Sequence, residues 1–304
     1  MIQILAALIP VFALIAAGAA LHHAHFIDDA SWRAVERVTY FVLFPCFLFN
    51  AIAIADFAGQ PVGRLALLLA GAIIAMAALV YVLQFALKLD GPAFSSVFQG
   101  AVRFNSYVAV GAISGVLGSP GVALAAIAIA IMVPLANTLC VTVLMHHAGD
   151  DEPSLSTFAK QFVQNPLIMS CLAGIAVHLL AVPIPSVVAT TIDMTGKAAL
   201  PLGLLAVGAS LNLDHARSRP APIVVATLLR LLVMPLFVTT GMLLLGVTGI
   251  AKVAALICAA VPGASSSYIL ARQLGGDAPM MANITTAQTL AAMVTMPLIL
   301  WVFV

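Results

Sequence analysis

The chain has 304 residues, of which 63% are hydrophobic and 8% charged, with a mean hydropathy of +1.16. A soluble domain carries about 25% charged residues, so composition excludes a soluble globular protein and points to an integral membrane protein. The net charge of +1 gives no sign of a nucleic-acid or other polyanion partner.

A helix needs about 20 apolar residues to cross the hydrocarbon. That rule predicts ten spans, at 3–21, 36–55, 62–87, 93–117, 121–145, 162–181, 186–211, 221–246, 251–271 and 280–303. Met1-Ile2-Gln3 places no basic residue ahead of the first apolar run, so that run is expected to be a membrane helix rather than a cleaved signal peptide. A polar loop from His146 to Ser156 divides the chain. The expected parts are 1–147 with spans one to five, a cytoplasmic linker over 148–160, and 161–304 with spans six to ten.

Lys and Arg gather in cytoplasmic loops. With the N-terminus outside, those loops hold Arg33, Arg37, Lys88, Lys160, Arg217, Arg219 and Arg272, whereas the outer loops hold only Arg64 and Lys252. Both termini are therefore expected outside.

The halves echo one another. Pro10, Pro45, Ser106-Tyr107 and Pro134 recur in order as Pro166, Pro201, Ser267-Tyr268 and Pro297, at a slowly drifting offset. Five spans is an odd number, so a second copy must be inverted. The fold class expected is an all-α polytopic membrane protein, with ten transmembrane helices as two inverted five-helix repeats. Inverted repeats with polar breaks at matching depth are the pattern of secondary transporters.

Two such breaks fall in spans four and nine. The first is Arg103-Phe104-Asn105-Ser106-Tyr107; the second is Pro262-Gly263 followed by Ser265-Ser266-Ser267. Polar residues at membrane depth are costly and usually functional. A break exposes backbone N–H and C=O groups to a ligand. Arg103 adds a fixed positive charge, Asn105 adds donors and acceptors, and half-helix N-termini add positive potential. Together they point to an anion, with a carboxylate foremost. The plainer alternative is packing: serines bonding to their own helix and Arg103 snorkelling to the interface.

Asn50, Asn137, Thr285 and Gln288 are supporting polar candidates, with interhelical hydrogen bonding as the structural alternative. Asp193 and Lys197, four apart, are expected to pair. Arg230 lacks a carboxylate in its own helix and could be a second anion-attracting charge. His22, His23, His25, His146 and His147 read as interfacial, and Cys46, Cys140, Cys171 and Cys258 as buried apolar residues. No metal site is expected. No Gly-x-x-x-x-Gly-Lys-Ser/Thr motif occurs, so neither ATP nor another cofactor is expected. Spans four, five, nine and ten contain no Asp or Glu, so they offer no proton carrier.

The chain resembles the auxin efflux carrier family, its bacterial members more than the plant PIN proteins. The resemblance lies in Arg103–Tyr107, the run from Ala123 to Asn137, Asn165-Pro166-Leu167-Ile168, Ala199–Gly203 through Val207–Ala209, and Val261-Pro262-Gly263. It implies two inverted five-helix repeats similar to bile-acid symporters. Spans one, two, six and seven would form a scaffold, and three to five with eight to ten a transport domain whose broken fourth and ninth helices cross. It also implies organic-anion substrates, auxin in plants and malonate or malate in some bacterial members, an elevator-like movement and a homodimer. Asn105 matches the family asparagine that contacts the substrate carboxylate. Phe104 and Ser267 stand where PIN carriers have crossover prolines, and the long plant loop is missing; both departures point away from auxin.

The reading expected is a carrier of small organic anions in a bacterial inner membrane. The alternatives are a sodium-coupled symporter of bile-acid-like anions, with oxygens from Asn137, Gln288 and Thr285, and a non-transporting sensor or intramembrane enzyme. An anion leaving a negative-inside cell gains about 2.3 kcal/mol per charge per 100 mV, so export needs no coupling ion and uptake does.

Overall fold

The structure, a computed structural model, describes residues 2–57, 59–148, 163–211 and 220–303. Apart from Ala148, the expected linker 148–160 lies outside the described residues, as do Arg217 and Arg219. Among the described residues the chain is helical with no strand.

The first half holds α1 (Ile2–His23), α2 (Asp29–Val38), α3 (Phe44–Ala53), α4 (Val62–Leu87), α5 (Gly91–Val102) and α6 (Ser106–Ala148). The second holds α7 (Pro166–Leu179), α8 (Ser186–Lys197), α9 (Ala199–Ala209), α10 (Pro220–Leu228), α11 (Met234–Leu245), α12 (Gly249–Ala260), α13 (Ser267–Gln273) and α14 (Ala278–Phe303). Seven helical stretches are long and apolar enough to cross a membrane, and the shorter apolar helices are Pro166–Leu179 and Gly249–Ala260. The ten expected spans therefore map only in part. One stretch, Gly91–His147, is 57 residues long and covers two of them, with a break at 103–105 and a kink at Gly118. The span expected from 36 begins earlier, at Asp29. Asp28 caps that helix by accepting the Ser31 N–H at 2.6 Å, and this bond holds its carboxyl below the usual range.

Two prolines explain two π-helical turns. Thr39–Leu43 joins α2 to α3 ahead of Pro45, and Leu229–Val233 joins α10 to α11 ahead of Pro235. A proline ring collides with the carbonyl four residues earlier, here Phe41 and Leu231. Each lies at the centre of its π turn, where the wider winding makes room.

Packing falls into two groups bridged by α6, which also packs on α1, α3 and α7. In one, α1 lies along α9, and α3 packs on α7 and α8. In the other, α4 packs on α6 and α11, α5 on α6 and α14, and α12 on α6 and α14. The α1–α9 contact is close because Gly18 and Gly208 sit in it. A methyl group on Gly18 would overlap the Leu205 carbonyl, and one on Gly208 the Ile15 carbonyl. Small residues let membrane helices approach backbone to backbone.

Candidate functional site

Both breaks begin the same way. Helix α5 ends at Arg103 with φ −76° and ψ 152°, and α12 ends at Val261 with φ −71° and ψ 152°. One extended residue stops each helix and turns the chain across the protein. The strands of backbone that follow then meet: the Asn105 N–H donates to the Pro262 carbonyl at 2.9 Å. This bond ties residues far apart in sequence at the middle of the bundle.

Asn105 also starts α6. Its Oδ1 accepts the N–H groups of Tyr107 at 3.1 Å and Val108 at 3.2 Å, as an N-cap does. Those two bonds fix the amide orientation and turn Nδ2 the other way. Nδ2 is buried and makes no hydrogen bond. A buried donor without a partner costs about 1–3 kcal/mol, so this atom invites an acceptor.

The second break is held from behind. Gln288 is fully buried. Its Oε1 accepts the Gly263 N–H at 2.8 Å, while Nε2 donates to the carbonyls of Gly100 at 2.9 Å and Ala226 at 3.1 Å. Arg230, also fully buried, donates from Nε to the Val261 carbonyl at 2.9 Å and from Nη2 to the Cys258 carbonyl at 2.8 Å. A cation at a helix C-terminus complements its dipole and fills orphan carbonyls. Arg230 thus lies behind α12 as its cap.

A cavity of about 70 Å³ opens where the breaks cross. Arg103, Asn105, Ser106 and Tyr107 line it from one break, Ser265 and Ser266 from the other, and Asn137 from α6. Arg103 donates from Nη2 to Ser266 Oγ at 3.0 Å, which joins the two breaks a second time through side chains. Phe44 packs on Tyr107 with ring centroids 4.6 Å apart and forms the apolar wall. The cavity thus offers a guanidinium, an unused amide donor and the N-terminal end of α6, a set suited to an anion.

The remaining expected residues lie elsewhere. Pro262 and Gly263 shape the backbone of the crossing, and Ser267, fully buried, opens α13. Thr285 donates to the Met281 carbonyl in its own helix. Asn50 donates to Asp193 at 3.4 Å, and Asp193 also pairs with Lys197, as the four-residue spacing predicts. That group lines a separate cavity of about 390 Å³. Among the histidines, His22 bonds Asp29 at 3.0 Å and His147 meets Gln84 at 3.1 Å.

One residue absent from the sequence reading lines the crossing cavity: Glu36, from α2. The broken helices and their neighbours, spans four, five, nine and ten, contain no acid, whereas this one enters from the second span. The signal available was its place on the helix before Tyr40 and Phe44, one turn apart on the face that meets the cavity.

Residues 151–300 match the family model described as Membrane transport protein. Over 279 residues the chain is 24% identical to an uncharacterized transporter of Methanothermobacter thermautotrophicus, covering 89% of this chain and 88% of that one. Over 109 residues it is 30% identical to Sodium/bile acid cotransporter 4 of Mus musculus and of Homo sapiens, covering 35% of this chain. The match spans 25% of the length of those relatives.

Proposed function

We propose that the chain is a secondary transporter of small organic anions, with carboxylates as the principal class, working by elevator-type alternating access. Its likeness to transporters along most of its length supports the general reading. The observation that carries the finer one is the crossing itself. Arg103 and Asn105, whose Nδ2 has no partner, line one small cavity between two broken helices bonded to each other. Both ends of a carboxylate's charge find a donor there.

Cavity size favours a small ligand. A water needs at least about 10–15 Å³ of such space, so about 70 Å³ suits a few heavy atoms rather than a steroid. The inverted repeats are supported by the matched geometry of Arg103 and Val261. The division into scaffold and moving domain is supported by the two packing groups. With both termini outside a bacterial inner membrane, the His22 end of α1 faces the cytoplasm. A homodimer belongs to the same proposal.

The partial likeness to a bile-acid cotransporter keeps a sodium-coupled symporter as the second reading. Of its expected sodium ligands, Gln288 Oε1 already accepts a backbone N–H and Thr285 already donates within its helix. Asn137 alone lines the cavity.

Thermal stabilisation of the purified protein by mono- and dicarboxylates, with and without sodium, tests these readings, because a ligand bound to the native state raises the melting temperature. A shift with a carboxylate that is lost in Asn105→Ala supports the anion carrier. A shift with sodium alone supports the symporter. No shift with any anion overturns the carboxylate site.

A further inference from the structure

Among the described residues Glu36 is the single acidic side chain lining the crossing cavity. It is half-buried, and among the described residues it forms neither a hydrogen bond nor an ion pair. It also lines two adjoining larger cavities of about 580 and 750 Å³. These form a vestibule beside α1, α2 and α13. Glu36 therefore stands between the anion site and the vestibule, with access to both.

Charge explains what a carboxylate does there. Arg103 carries one positive charge. With the cavity empty and Glu36 ionised, the pair sums to zero. A bound monoanion makes the sum negative by one, unless Glu36 takes a proton, which restores zero. Net charge at membrane depth is expensive, and like charges disfavour each other. The empty form is therefore balanced with Glu36 ionised, and the loaded form with Glu36 neutral.

We propose that Glu36 is the proton carrier of the transporter, protonated when the anion binds and deprotonated when it leaves. The inference rests on the anion-carrier reading above. The step forms one O–H bond on the Glu36 carboxyl with a proton from hydronium in the vestibule, which is left as water, and release reverses it by returning the proton to water as hydronium; no change of oxidation state occurs. Linkage makes the coupling reciprocal: whatever factor the proton adds to anion affinity, the anion adds to proton affinity. A monocarboxylate then crosses with its proton as a neutral unit, and proton-driven uptake becomes possible.

Other titratable or charged groups face Glu36. On the cavity side they are Tyr40, Arg103 and Tyr107. On the vestibule side they are His22, His23 and His25 at the end of α1, and Asp29 and Arg33 on α2. Helix α13 adds Tyr268 and Arg272. The histidines line the vestibule and not the anion cavity, so they bear on entry rather than on the balance at Arg103.

The test uses proteoliposomes with radiolabelled pyruvate and malonate as probes, comparing the unaltered protein with Glu36→Gln and Glu36→Asp. Two quantities are read: exchange at equal pH, and accumulation under an imposed pH gradient. The unaltered protein should do both, with accumulation of pyruvate of up to about tenfold per pH unit for one coupled proton. Glu36→Gln should keep exchange, since its loaded form is neutral, and lose accumulation. Glu36→Asp should retain both in part. Gradient-driven accumulation by Glu36→Gln equal to that of the unaltered protein overturns the proposal. Loss of exchange in monodisperse Glu36→Gln also overturns it, because a neutral side chain should serve exchange. No exchange of either probe by the unaltered protein strikes the carboxylate-carrier reading itself, and the proton carrier falls with it.

Discussion

Gln288 holds Gly263 by accepting its N–H at 2.8 Å, and a larger residue at that position would displace the Gln288 amide: a Cβ on Gly263 would lie 2.6 Å from Oε1. The same side chain donates to Gly100, near the end of α5, and to Ala226, beside the second π turn. One amide therefore clamps the two broken helices and α10 together. Gln288→Leu leaves the Gly263 N–H buried without its acceptor and takes a donor from the Gly100 and Ala226 carbonyls. A buried group left without a partner costs about 1–3 kcal/mol, so the melting temperature should fall strongly. Gln288→Glu keeps the acceptor but loses both donors, and should be destabilised as well. A variant with unchanged melting would contradict the clamp.

Arg230 and Arg103 are both cations inside the bundle, and their variants should behave differently. Arg230→Met removes two bonds to the carbonyls that end α12. Bonds from charged groups contribute about 1.5–3 kcal/mol each, so melting should fall by several degrees or more. Arg103→Gln removes the cavity's cation and its bond to Ser266, and should instead abolish stabilisation by carboxylates with a smaller change in the unliganded melting temperature. Melting curves with and without ligand separate the two effects.

Asn105 allows its two roles to be separated. Asn105→Asp keeps an oxygen for the Tyr107 and Val108 N–H groups but replaces Nδ2 with a second oxygen. Melting should stay near that of the unaltered protein, while carboxylate affinity should drop at least about tenfold, equivalent to about 1.4 kcal/mol. Asn105→Ala should lose affinity and also about 1 kcal/mol of helix capping. Equal carboxylate affinity in Asn105→Asp and the unaltered protein, by calorimetry, would remove Nδ2 from the site.

Gly208 sits where α1 meets α9, with the Ile15 carbonyl against it. Gly208→Leu should force the two helices apart and lower stability. Gly63, with open space around it, is the control: Gly63→Ala should leave melting almost unchanged. If both variants melt alike, the close approach carries no stability.

Much of the crossing was legible in the sequence, and the reason is dielectric. Arg103, Asn105 and the serines at 265–267 interrupt apolar runs where polar atoms need a purpose, so their positions alone marked the breaks. The pairing of Asp193 with Lys197 followed from helical spacing. Other features depended on tertiary placement. Arg230 reads in sequence as an unpaired charge, and only folding brings the carbonyls of Cys258 and Val261 to its guanidinium. Gln288 reads as a polar residue in a span; its three partners come from three separate segments. The π turns are foreshadowed by Pro45 and Pro235, but prolines in membrane helices have several outcomes, so the wide turn does not follow from sequence. Glu36 lay at the expected edge of a span beginning at 36. The earlier start of α2, at Asp29, carries it inside the helix and toward the cavity.

The central claim is that a carboxylate binds where the two broken helices cross. The most direct measurement is a crystal structure with bromoacetate, located by the anomalous signal of bromine. The account predicts bromine density in the cavity between Arg103, Asn105 and Ser266, with the carboxylate within hydrogen-bonding distance of Asn105 Nδ2. Bromine only in the cavity beside Asp193 and Lys197, or no bound bromine at concentrations that stabilise the protein, would contradict it.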